Sequence, residues 1–73
     1  GFRAGDAVGR VVRFDAGGAT QQFIAPVDPG ADPAPQRALG QAHAAAVVET
    51  TRTLVFVSDD ELWTASLPPL VGA

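Results

Sequence analysis

His43 is the only histidine in this 73-residue chain, which has no cysteine, methionine or tyrosine. Its neighbours in Gln41-Ala-His-Ala-Ala45 carry no charge. Neither H-x-x-x-H nor H-E-x-x-H occurs, so no helical turn sets two imidazoles side by side for a metal. One imidazole without a thiolate is a poor start for zinc. A structural histidine is expected, and no metal ligands are assigned. Asp59-Asp60-Glu61 supplies hard oxygen donors, but a calcium loop needs them at alternating positions around a central glycine. Ser58 and Ser66 lie outside any G-x-S-x-G turn, which would lift a nucleophilic hydroxyl clear of a sheet. The glycines of Gly5-Asp-Ala-Val-Gly9 and Asp15-Ala-Gly-Gly18 form no G-x-x-x-x-G-K-[ST] phosphate cradle. No catalytic residue and no cofactor is expected. The chain reads as a non-enzyme.

Recognition is the chemistry left. Tryptophan and arginine dominate the energetics of protein interfaces, and Trp63, Arg10 and Arg13 are the candidate partner contacts. Trp63 follows three acids and has a second reading, as a lid over the core. The other aromatics, Phe2, Phe14, Phe23 and Phe56, are needed for that core.

Charge narrows the partners. Eight acids against five bases give a net charge of -3, so no general field draws a polyanion. No apolar run approaches the roughly 18 residues that span a bilayer. No basic segment leads into an apolar one as in a secretory signal. The expectation is a soluble protein of the cytoplasm or of a virion. Its partner is a protein or a second copy, without free nucleic acid and without membrane insertion.

These residues must be positioned by few elements. Val8-Gly-Arg-Val-Val-Arg-Phe14 and Ala19-Thr-Gln-Gln-Phe-Ile-Ala25 are β-rich runs joined by Asp15-Ala-Gly-Gly18. Glycine reaches φ > 0 at no steric cost, so the spacing predicts a hairpin. Phe23 and Ile24 then point to opposite faces. Residues 26–37 hold four of the chain's six prolines, crowded enough to predict a long surface loop. Over Ala38–Glu49, Leu39, His43 and Val47 recur at helical spacing, whereas Gly40 and Val47-Val48 oppose a helix. An extended segment over Ala44–Glu49 is favoured. Thr53-Leu-Val-Phe-Val57 is apolar on both faces, as a central buried strand is.

The C-terminal segment has two readings. Leu62-Trp-Thr-Ala-Ser-Leu67 alternates as a strand does. Ser58-Asp-Asp-Glu61 is also a capping box, in which Ser58 and Glu61 satisfy the free N–H groups of a helix start. Pro68-Pro69 would end that helix after two turns. The capping chemistry favours the short helix.

The order of these elements resembles the PRC-barrel family of small β-barrels. Gly9-Arg-Val-Val-Arg-Phe-Asp15-Ala-Gly-Gly18 is similar to that family's first hairpin, and Leu54-Val-Phe-Val-Ser-Asp-Asp-Glu-Leu-Trp-Thr-Ala-Ser-Leu-Pro68 to its closing segment. The resemblance implies docking to protein or ribonucleoprotein partners, with no catalytic set. Thr51-Arg-Thr-Leu-Val-Phe-Val-Ser-Asp-Asp-Glu-Leu-Trp-Thr64 also looks like the inner strands of a β-propeller blade, although a propeller needs about four to eight blades.

The expected fold is mainly β. It is a single domain over 1–73, with four or five strands in an open or closed barrel, one long Pro-rich loop and a short C-terminal helix or strand. The expected function is a non-catalytic interaction or scaffold module that docks to a larger assembly. The alternative is a structural coat, decoration or tail component of a virus-like particle. The third is a subunit or fragment of a β-propeller.

Overall fold

The computed structural model describes residues 3–69; Phe2 lies outside them. Five antiparallel strands form one sheet in the order β2-β1-β5-β4-β3, with β1 Arg10–Phe14, β2 Thr20–Ile24, β3 Ala44–Val48, β4 Thr53–Ser58 and β5 Glu61–Ser66. One helix, α1 Pro33–Gly40, and a 3-10 turn at Ala4–Asp6 complete it. The fold is mainly β, as expected. The sheet is open: β2 and β3 are its two edges and do not pair with each other.

The first hairpin forms where the glycines placed it. The Asp15 carboxylate accepts hydrogen bonds from the N–H groups of Gly17 and Ala19, both at 2.9 Å. Gly18 takes φ 88°, a conformation that glycine adopts freely. Phe23 is buried and Ile24 is exposed, on opposite faces.

The Pro-rich segment is shorter than the sequence implied. Its loop ends at Asp32, and Pro33 and Pro35 begin α1. The N–H groups of a helix's first turn have no partner inside the helix, so proline costs no hydrogen bond there. Ala34, Gln36, Arg37, Ala38 and Leu39 then propagate a turn and a half of good helix formers. The helix stops at Gly40. His43 and Val47 therefore never join Leu39 on a helical face, and Ala44–Val48 is extended as expected. The Gln36 side-chain oxygen accepts the Ala4 N–H at 2.8 Å, tying α1 to the 3-10 turn.

The C-terminal segment corrects the helix reading. Ser58 and Glu61 are paired strand residues that close β4 and β5 around Asp59-Asp60. They cap nothing. Asp59 takes φ 54°, which a short polar side chain tolerates. Magnitude decides between the two outcomes. A cap contributes about 0.5–2 kcal/mol, whereas burying a large aromatic is worth about 3–5 kcal/mol by truncation data. As a strand, the segment buries Trp63, Ala65 and Leu67 together between β1 and β4.

The core lies on one face of the sheet. Val11, Phe23, Leu54, Phe56, Trp63 and Ala65 pack there against Ala38 of α1 and Val27 of the loop. Trp63 stands at the centre, its ring 5.8 Å from both Phe23 and Phe56 in stacked arrangements.

Candidate functional site

Strand alternation separates the candidate contact residues onto different sides. Trp63 is 1% exposed. It is a core residue, not a partner anchor, because the period of two that makes β5 a strand turns it under α1. Arg13 lies on the same covered side, opposite Trp63 in register. Its guanidinium meets the Glu61 carboxylate at 3.3 Å, with both side chains about one-third exposed. Arg10 lies on the other face and is exposed. It donates to the Gln22 side-chain oxygen at 3.2 Å.

The covered side has a cleft of about 180 Å³ where α1 meets the β4–β5 turn, lined among others by Arg13, Arg37, Ser58, Asp59 and Trp63. The Trp63 indole N–H is buried there without an acceptor among the described residues. Ligand pockets usually enclose about 300–1,000 Å³, so this cleft admits water or a very small polar molecule. His43 is not in its wall; its backbone N–H donates to the Val57 carbonyl at 3.0 Å. Among the described residues, no three of the His, Asp and Glu side chains converge as metal ligands do. No described helix is long and apolar enough to cross a membrane.

The opposite face has a different character. The registers set Phe14 beside Leu62, Leu62 beside Val57 and Val57 beside Ala44, an apolar row across four strands. Val12, Thr64, Val55 and Ala46 form the next row. Phe14, Val12, Val55 and Val57 are only half-buried, and Leu62 is 41% exposed. The helix and the 3-10 turn contribute to the core on the other side, and no described element covers this face. Arg10, set beside Ile24, is the one charged strand residue on it.

Sequence reasoning did not assign Phe14, Val55, Val57 or Leu62 to a surface. The signal was present in Thr53–Val57, apolar on both faces: β4 is central, yet the described residues cover one side of it only. Comparisons with protein-family models, curated proteins and solved structures find no match to this chain.

Proposed function

We propose that this chain is a non-catalytic protein-interaction module that docks onto a larger assembly through the outer face of its sheet. The observation that carries the reading is the Phe14–Leu62–Val57–Ala44 row, apolar across four strands and covered by no described element. Contiguous apolar surface of this kind marks interaction sites. The occupant is a protein segment with apolar side chains and a carboxylate to meet Arg10, the lone charge of the face. Such a contact needs no cofactor, nucleic acid or lipid. The cytoplasm or a virion is the setting it implies.

Site-resolved photocrosslinking tests this. A photoreactive residue at Leu62, in an extract of the source organism, should give one discrete adduct heavier than the chain. Arg10→Glu, which reverses the charge, should abolish it. A probe at Gln41, on α1, should give none. Equal labelling from both positions, or an adduct indifferent to Arg10→Glu, would defeat the reading.

A structural component of a repeating particle is the second reading. It is favoured by β3, whose five residues are all exposed although none is polar.

A further inference from the structure

β3 is the strand the fold leaves unexplained. Its sequence, Ala44-Ala-Ala-Val-Val48, is apolar on both faces, a pattern that belongs to strands covered on both sides. Yet every residue in it is exposed, Val47 and Val48 each at 42%. Its outer edge pairs with no other described residue, since β3 ends the sheet beyond β4. Natural edge strands are protected by charges, prolines or bulges that stop another chain from adding to them. Ala44–Val48 has neither charge nor proline.

We infer that β3 pairs antiparallel with β3 of a second copy about a two-fold axis at Ala46, joining two five-stranded sheets into one of ten. The sequence of the edge is self-complementary in that register. Ala44 faces Val48 of the partner subunit and Ala45 faces Val47 of the partner subunit, so a small side chain meets a larger one at each off-axis position. Just beyond the strand, His43 comes opposite Glu49 of the partner subunit, and the two-fold repeats that pairing. An imidazole and a carboxylate therefore meet at both ends, and like charges meet nowhere along the pair. The Glu49 side chain is 68% exposed, open to a new contact beside its ion pair with Arg52.

The other edge does not share these properties. Centring a two-fold on Gln22 of β2 brings Ala19 opposite Ala25 of the partner subunit, with no complementary charge at either end. A two-fold normal to the sheet, the axis that antiparallel pairing of two identical strands requires, also keeps like faces together. The dimer presents both outer faces on one side and both helices on the other. This inference concerns the edge, where Ala44 and Ala46 also end the rows of the proposed docking face: a monomer that still crosslinks through Leu62 would remove the dimer alone.

Light scattering on the purified chain, with cysteine variants, tests it. The chain should have twice its formula mass, and Ala46→Lys, which opposes two cations at the axis, should halve that mass while leaving the circular dichroism unchanged. The chain has no cysteine, so a single introduced thiol reports its own position. Directly opposed residues have Cα atoms about 4.5–5.5 Å apart, inside the range that a disulfide bridges. Oxidised Ala46→Cys should become a covalent dimer. Ala44→Cys alone should not, but should crosslink when mixed with Val48→Cys. A monomer up to roughly millimolar concentration would overturn the inference. So would equal crosslinking from Ala44→Cys alone, or an open ladder of oligomers from β3 joining β2 of the next chain.

Discussion

Trp63 carries more of the fold than any other side chain, and its surroundings set the expected cost of losing it. The ring is buried between Phe23 and Phe56, and each aromatic pair adds about 0.5–1.5 kcal/mol to simple burial. Trp63→Ala should therefore cost about 3–5 kcal/mol in urea unfolding. Leu62→Ala, one residue away and on the outer face, should cost about 1 kcal/mol or less, the range of ordinary surface substitutions. Similar losses for the two would contradict the alternation of β5. The indole N–H has no acceptor among the described residues, and an unsatisfied buried donor costs about 1–3 kcal/mol. Trp63→Phe keeps a ring in the stack and removes that donor, so it should destabilise less than Trp63→Ala. Arg13 and Glu61 border the same cleft as a pair that solvent screens. A double-mutant cycle on them should return about 1 kcal/mol or less, falling further with added salt.

At the scale of the elements, the β4–β5 hairpin shows how far local chemistry can mislead. Ser58-Asp-Asp-Glu61 satisfies the sequence rule for a capping box, yet these residues close a hairpin whose strands lie inside the sheet. Local rules count the bonds of one turn. They omit the side chains that only a finished sheet brings together, and here Phe23, which stacks on Trp63, is forty residues away in the chain. Two substitutions follow from the hairpin. Ser58 is buried but caps no helix, so Ser58→Ala should change stability by about 1 kcal/mol or less. Asp59→Gly should stabilise by up to about 1 kcal/mol, since the left-handed penalty of roughly 1–2 kcal/mol exceeds the extra backbone entropy glycine loses, about 0.5–1 kcal/mol. Thermal unfolding of both variants checks this, and a marked loss for Ser58→Ala would restore the cap. The first hairpin was legible because Asp15 and Gly18 encode their turn locally. The extended state of Ala44–Val48 was legible from its β-branched end. The start of α1 was not, because proline reads as a loop until one knows that Pro33 and Pro35 occupy the only turn that tolerates them. The outer apolar face was hidden for another reason: an apolar strand face looks the same in sequence whether its own chain or a partner covers it.

At the scale of the molecule, one helix and one loop cover one side of a five-stranded sheet, and β3 lies largely beyond their reach. A chain of this length buries only about 60% of the surface its unfolded form exposes, and without cysteine it has no covalent staple. Its stability should then depend on association. Anything that binds the native state alone stabilises it by mass action, so for a folded dimer the melting temperature rises with protein concentration. The melting temperature of this chain should climb steadily as it is concentrated, while that of Ala46→Lys stays constant and low. Leu62→Asp places its charge on the outer face, away from the β3 edge, and should leave the concentration dependence intact. A melting temperature independent of concentration would mean that the core beneath α1 suffices alone. A dependence shared by Ala46→Lys but lost in Leu62→Asp would mean that copies associate through the apolar face, and β3 would then be an edge that this chain leaves bare.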